Sequence, residues 1–310
     1  MTSTIMVTAI PGQTSEVCAT GATRSTSAVM ALRRSTLLEI AAEARPASVR
    51  HIYYRAVVAG LVEKRETGYR KVQRQLLALR RSGDLPFDWI TDEGRRAHWP
   101  LVEDTPSSAL TYLAATYRRD PWQEPGSPRV EIWCESESIA GVLMPLKIDY
   151  AVPIFPLKGQ GSETFVWSAA SSYAAGEQVV VLYAGDYDPA GLQIGAQLEG
   201  KLLEYGHRGL DLDFRRVAIN HDQATRLQPL GTPPKQHHWV DYVGVRHEFV
   251  GQAIEAEAVA PKVLRNLFST IIEEIALEAH GRDVFAESRV IENADRESLA
   301  ALARGWGGAR

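Results

Sequence analysis

"QVVVLYAGDYDPAGLQIG", residues 178–195, decides how the rest of the chain is read. A continuous apolar run, QVVVLYA, ends abruptly at a glycine and is followed by two aspartates one residue apart, Asp186 and Asp188, and a Pro-x-Gly turn. An uninterrupted apolar stretch of this length predicts a strand buried on both faces, as in a parallel sheet flanked by helices. "PAGLQIGAQLEGKLLEYG" then predicts a helix, with proline at its first turn and glycine at its end. A D-x-D spacing on a tight turn can aim two carboxylates at one point. The same residues are also ordinary at a plain strand exit.

Working outward, the surrounding segments repeat the alternation. "VEIWC" and "YAVPIF" predict strands upstream, with "SESIAGVLMPLKI" as the helix between them, "LKGQGSE" as a glycine-bearing loop and "TFVWSAASSYAAG" as a further helix; "LDFRRVAI" predicts a strand downstream. Strands alternating with helices indicate an α/β domain with a parallel sheet, whose sites lie at the carboxyl ends of strands. Glu135 and the Asp186/Asp188 pair fall at such ends. A glutamate closing one strand beside a D-x-D closing another is a set of hard oxygen donors suited to Mg²⁺ or Mn²⁺. Glu137 and Glu257 are additional candidates; a helix-start charge and a solvated helix face are their ordinary roles. From Asn220 to Val243 the chain is rich in Pro and His and reads as ordered loop, and a helical region follows from about Glu248. "RGWGGAR" at the end reads as frayed. His237 and His238 lack metal-knuckle spacing, and no Walker loop or G-x-S-x-G elbow is present.

The N-terminal half differs. Helical spacing over 35–44, "SVRHIYYRAVVAG" and "GYRKVQRQLLALRRSG", the last capped by Thr67, precede "LPFDWITDEGRR" and "AHWPLV", read as an aromatic strand, a turn and a returning strand. Three helices and a hairpin make the pattern of a winged helix-turn-helix. On the third helix Val72, Leu76 and Leu79 share one side, while Arg70, Arg74 and Arg81 form a stripe nearly opposite, with Lys71 beside it. Together with Arg95 and Arg96 at the hairpin turn they suit a DNA backbone. On the second helix Tyr53 falls among the apolar positions and Tyr54 outside them, four residues after Arg50, which leaves Tyr54 free to act as a nucleophile beside a guanidinium.

The 310 residues carry a net charge of −4, with 45% hydrophobic and 23% charged residues, the composition of a globular protein. Residues 45–96 nonetheless hold twelve Lys/Arg against six Asp/Glu, so the remainder is clearly acidic. A basic module joined to an acidic one suits a polyanion held beside a metal. No run is long and apolar enough to span a membrane, and the first 28 residues read as a disordered tail rather than a secretory signal. Two cysteines, Cys18 and Cys134, form no disulfide framework and suit a reducing cytoplasm. The expected division is a tail over 1–28, a DNA-binding domain over 29–104, a helix and linker over 105–128, and an α/β domain with a helical extension over 129–310.

"VRHIYYR" followed by a basic helix resembles the CAP-like winged-helix domain of the type IIB topoisomerase A subunits, including topoisomerase VI A and its meiotic double-strand-break relative. "VEIWCESESIAGVL" and "YAGDYDPAG" resemble the two acidic signatures of the Toprim domain that follows it there. The likeness covers roughly residues 46–205 and extends more weakly through "IEAEAVAP"; the chain also looks like short, stand-alone A-subunit-like proteins of bacteria, phages and plasmids. The resemblance implies a winged helix followed by a Rossmann-like Toprim domain. It implies Mg²⁺-dependent cleavage of double-stranded DNA by Tyr54, steadied by Arg50, to give a 5′-phosphotyrosyl link, with Glu135, Asp186 and Asp188 as metal ligands. It further implies a homodimer, a separate ATPase partner and a nucleoid-associated, cytoplasmic location. The chain departs from the pattern at His51, where the family usually has an acidic residue, and in its short Pro/His-rich segment after the sheet. The rival readings are a hydrolytic Toprim nuclease of a plasmid or phage defence system, in which water attacks, and a DNA-binding protein without enzymatic activity.

Overall fold

A computed structural model of the chain describes residues 27–90, 100, 102–159 and 161–307. Positions 1–26, which make up nearly all of the expected tail, lie outside the described residues, as do 91–99, where a hairpin turn bearing Arg95 and Arg96 is expected, and the last three positions.

The centre is a four-stranded parallel sheet of β1 (Arg129–Cys134), β2 (Ile154–Pro156), β3 (Gln178–Ala184) and β4 (Asp211–Ala218), ordered β2-β1-β3-β4. The alternation of side chains along β3 explains its unbroken apolar sequence. Val180, Leu182 and Ala184 enter one core, while Val179, Val181 and Tyr183 enter the other. The second core is closed by α6 (Glu163–Ala170) and α7 (Pro189–Tyr205) through Val166, Ala169, Ile194, Leu198 and Leu202. The first is closed by α5 (Glu137–Tyr150) and α9 (Pro261–His280) through Ile139, Leu143, Leu264 and Phe268. The protein is therefore mixed α/β, with helices on both faces of a parallel sheet.

The described chain opens with three helices, α1 (Ser27–Ala44), α2 (Val49–Val58) and α3 (Glu66–Ser82). Val72, Leu76 and Leu79 of α3 are buried, as its spacing predicts, and they join Leu37, Ala41, Ile52 and Ala56 in the same continuous core that covers the first face of the sheet. Arg265 of α9 reinforces this junction by donating to the carbonyls of Arg45 and Pro46. Outside the layers, α4 (Pro106–Thr116) packs along α10 (Val284–Gly307), tied by Ser107 to the Ala303 carbonyl and by Arg118 to Glu292.

Several local expectations are corrected. Helix α1 begins at Ser27, well before the expected 35, and takes in the last two positions assigned to the tail. Helix α3 starts at Glu66 with Arg65, not Thr67, at its N-cap. The aromatic segment is not a strand: Phe87–Trp89 is a single 3-10 turn, and Ile90 alone bridges to Ala47. The stretch 220–243 is more ordered than a loop, holding α8 (His221–Leu227), a 3-10 turn, and β5 (His238–Val240), which pairs antiparallel with β6 (Arg246–Glu248). Helix resumes only at Pro261, because Glu255–Val259 runs as an extended residue, a 3-10 turn and another extended residue. Gly305 and Trp306 are helical, within α10. Among the described residues no helix is long and apolar enough to cross a membrane.

Glu131 shows how completely the sheet's second face is closed. Its side chain is fully buried, yet accepts from Trp133 Nε1 at 2.8 Å, Tyr173 Oη at 2.9 Å and Arg129 Nε at 2.8 Å. A buried carboxylate is tolerable when its oxygens are fully bonded and a guanidinium is paired with it. Replacing Glu131 by alanine strands a buried indole N–H and a phenol, so denaturant unfolding is expected to show a loss of roughly 3 kcal/mol, with Glu131→Gln less severe.

Candidate active site at the strand ends

The site begins with strand register. Cys134 of β1 pairs with Ala184 of β3, so the residues that follow, Glu135 and Gly185-Asp186, leave the sheet side by side. The Glu135 amide donates to the Ala184 carbonyl at 2.9 Å, and the Asp186 amide donates to Glu135 Oε2 at 2.9 Å. Two carboxylates from separate sequence segments thus meet through main-chain geometry.

The turn after β3 is shaped by Gly191 and Asp188. A Cβ at Gly191 would lie 2.4 Å from the Asp186 carbonyl oxygen, so only glycine permits this close return. Asp188 is the N-cap of α7, accepting from the Gly191 amide at 2.7 Å, and Pro189 occupies the first helical turn. Asp188 therefore has an ordinary capping role through one oxygen. Arg216 of β4 holds the turn from below, donating to the carbonyls of Ile219 at 2.7 Å, Gly185 at 3.1 Å and Gly191 at 3.3 Å, and to that of Asp186. Its guanidinium also lies 5.2 Å from the ring centroid of Tyr183, whose buried hydroxyl has no partner among the described residues.

A segment distant in sequence closes the site. Tyr187 and Ile254 form an antiparallel bridge with bonds of 2.8 and 3.0 Å, and the Ala256 amide donates to Asp186 Oδ1 at 2.8 Å. Glu257, nearly inaccessible, accepts from Ser136 Oγ at 3.3 Å. The other side of this segment docks on α2. Arg50 Nε donates to Glu255 Oε2 at 3.1 Å, and Arg55 donates to the Ala258 carbonyl at 3.0 Å.

The acidic corner is electrostatically uncomfortable. Burial, with the Glu135 and Glu257 charges, raises the Asp186 pKa well above the usual carboxylate range. Burial raises Glu135 too, with Asp188 and Glu257 adding to it and Arg216 opposing. Glu257 is raised chiefly by burial, opposed by Arg50. Among the described residues no three His, Cys, Asp or Glu side chains converge as a finished metal cage. The donors are nonetheless all hard oxygens, carrying an excess of negative charge and leaving oxygens uncommitted to the protein, which is the chemistry a Mg²⁺ or Mn²⁺ ion would complement.

Tyr54 departs from expectation. It is 2% exposed, less than Tyr53 at 7%. Helical periodicity put Tyr54 outside the apolar stripe of α2, whereas it joins Ile52, Tyr53 and Ala56 in the same buried core; periodicity could not show that Glu255 and its neighbours would lie against that side. Burial and the Glu255 carboxylate both raise the Tyr54 pKa, while Arg50 opposes them. Arg50 senses Glu255, Glu257, Tyr54 and Asp186 together, so one chain brings Tyr54, Arg50 and the acidic corner into one electrostatic neighbourhood. Glu137 is separate: it opens α5 and pairs with Lys158 at 2.6 Å.

On α3, Arg70 pairs with Glu66 at 3.0 Å, and Arg81 is exposed. Lys71 and Arg74 face Arg33 and Arg34 of α1 across a groove of about 410 Å³. Sequence reasoning passed over Arg216, Lys64 and these α1 arginines. The paired arginines of "LDFRRVAI", within a strand of a parallel sheet, were the available signal for Arg216.

Compared with models of known protein families, with curated proteins and with solved structures, the chain matches none.

Two outcomes follow from the charges. His51, fully buried with Nδ1 3.0 Å from Ser48 Oγ and Nε2 without a partner among the described residues, has its pKa pushed down to about 3 by burial and the neighbouring Arg55. The unfolded chain binds this proton below about pH 6.5 whereas the folded chain refuses it, so the contribution is full above that pH and declines as pH falls toward 3. Urea midpoints of His51→Gln are therefore expected to fall less than wild type between about pH 7 and pH 5. Asp186→Asn, which keeps the acceptor for Ala256 and removes a repelled charge, is expected to raise stability at neutral pH by about 1 kcal/mol, read by thermal or denaturant unfolding.

Proposed function

We propose that the protein is a Mg²⁺- or Mn²⁺-dependent DNA-cleaving transesterase related to the type IIB topoisomerase A subunits. On this reading α1–α3 serve as a winged-helix DNA-binding unit and the parallel sheet as a Toprim domain. The observation that carries the proposal is the segment 252–258, which touches Asp186 on one side and Arg50 beside Tyr54 on the other. A candidate nucleophile, a phosphate-binding cation and an acidic corner are thus joined through one short stretch of chain.

In the reaction, the Tyr54 oxygen forms a bond to a backbone phosphorus and the bond from phosphorus to the 3′ oxygen breaks. The phenol loses its proton and the departing 3′ oxygen gains one, leaving a 3′ hydroxyl and a 5′-phosphotyrosyl link with no net redox change. Arg50 neutralises phosphate charge, and basic α3 residues Arg70, Lys71, Arg74 and Arg81 hold the flanking duplex. Glu135, Asp186 and Asp188, with Glu257 adjacent, would hold the metal, which when bound stabilises charge on the transferring phosphate. The remaining parts of the proposal, a homodimer acting on double-stranded DNA, a separate ATPase partner and a nucleoid location, follow from the same kinship.

The burial of Tyr54 favours one alternative, a nuclease in which water attacks and Tyr54 only packs. Denaturing gels of protein incubated with labelled duplex and Mg²⁺ separate the two. The transesterase leaves label covalently on the protein, and Tyr54→Phe abolishes it; cleavage that persists in Tyr54→Phe without any adduct selects the hydrolytic reading and discards the first.

A further inference from the structure

Glu255 sits among the groups that a phosphate would want. Its carboxylate takes Arg50 Nε at 3.1 Å and lies against the Tyr54 hydroxyl. Lys64, from the link between α2 and α3, donates to the Leu230 carbonyl and places its ammonium 5.3 Å from the Tyr54 ring centroid, where the Glu255 charge acts on it. A guanidinium, an ammonium and a phenol grouped around one anion are the donors used for phosphodiester oxygens, and a carboxylate offers them the same charge and similar oxygen geometry.

The anion is also movable. Its side chain is 38% exposed, and that of Arg50 52% exposed, so the pair opens to solvent rather than to the core. The backbone around Glu255 is pinned by the Ile254–Tyr187 bridge and by the Ala256 amide on Asp186. Side-chain rotation alone can therefore withdraw the carboxylate, leaving the acidic corner undisturbed.

We infer that Arg50, Lys64 and the Tyr54 hydroxyl form the receptor for one backbone phosphate of DNA, and that Glu255 fills this receptor in the free chain as an internal competitor. The inference rests on the proposal that Tyr54 acts at the cleaved phosphate. A phosphate and a carboxylate cannot share these donors, because like charges at such separation repel. DNA binding then drives Glu255 outward. The nucleophile is thereby covered until a phosphate arrives.

Fluorescence anisotropy with a labelled random-sequence duplex, at fixed ionic strength and without divalent metal, tests the receptor. Glu255→Gln keeps the side-chain shape and removes the competing charge. Because exposed ion pairs contribute at most about 1 kcal/mol, it is expected to bind about two- to fivefold tighter than wild type. Glu204→Gln, an exposed charge removed at the far end of α7, controls for net charge and is expected to change affinity less. Lys64→Ala is expected to weaken binding, and in combination with Glu255→Gln to erase most of the gain. Circular dichroism confirms that each variant is folded, and Glu255→Asp, with a shorter reach, is expected to show a smaller gain than Glu255→Gln. Equal affinity of Glu255→Gln and Glu204→Gln, or a gain that survives Lys64→Ala, overturns the inference. Absence of any covalent adduct in the wild type overturns the Tyr54 proposal instead, and the binding comparison still decides whether Glu255 competes for phosphate.

Discussion

Arg216 is the group on which the site's geometry depends. Its guanidinium is largely withdrawn from water, and burial lowers its pKa, yet among the described residues it donates to four main-chain carbonyls and forms no direct ion pair. Those carbonyls belong to Gly185, Asp186 and Gly191 around the turn and to Ile219 beyond β4. Buried carbonyls need donors, and a turn that folds back as tightly as this one leaves several without a strand or helix partner. One planar cation satisfies them together and fixes the turn against the neighbouring strand. It also supplies positive charge beneath Glu135 and Asp186. A neutral side chain could not do both, and a lysine, lacking the planar fork, could not span the same carbonyls.

Positioning brings a conflict with it. The Asp186 amide donates to the Glu135 carboxylate, and the register of β1 and β3 brings the two residues out of the sheet side by side. Burial raises their pKa values most, and the like charges fixed beside them add to it. Folded chains retain such arrangements chiefly where a ligand or reaction uses them, since nothing in packing demands them. Glu131 behaves differently. That carboxylate is more deeply buried but is matched by a guanidinium, an indole and a phenol, so it serves the core. The strand-end carboxylates accept from amides and remain in excess over their cations.

The sheet was legible in the sequence because its signal is local. VEIWC, QVVVLYA and LDFRRVAI are strands flanked by helices of matching length, and the parallel order follows from that alternation. Glu135 and Asp186 could be placed together for the same reason, since both follow strand ends. The α3 core face was likewise fixed by 3.6-residue spacing. What periodicity could not supply was the path of residues 220–260. Those residues owe their shape to long-range bridges, Tyr187 to Ile254 and Thr232 to Ala253, rather than to any repeating pattern. The exposure of Tyr54 was misjudged on that account, because its cover comes from a segment far downstream in the chain. Arg216 and Lys64 were missed for a related reason: a basic residue reads as surface unless its acceptors are known, and theirs are main-chain oxygens.

The same long-range segment couples the two halves of the proposed chemistry. Ala256 holds Asp186, while Glu255, its immediate neighbour, holds Arg50. Adjacent residues in an extended or 3-10 conformation cannot point their side chain and amide independently over large distances, so a shift that frees Arg50 by moving backbone would also release Asp186. A swing of the Glu255 side chain is the route that avoids this cost. It would leave the acidic donors set while opening the tyrosine, which is the order of events that the proposed cleavage would require: the acidic corner in place first, and Tyr54 uncovered only when phosphate has replaced the carboxylate.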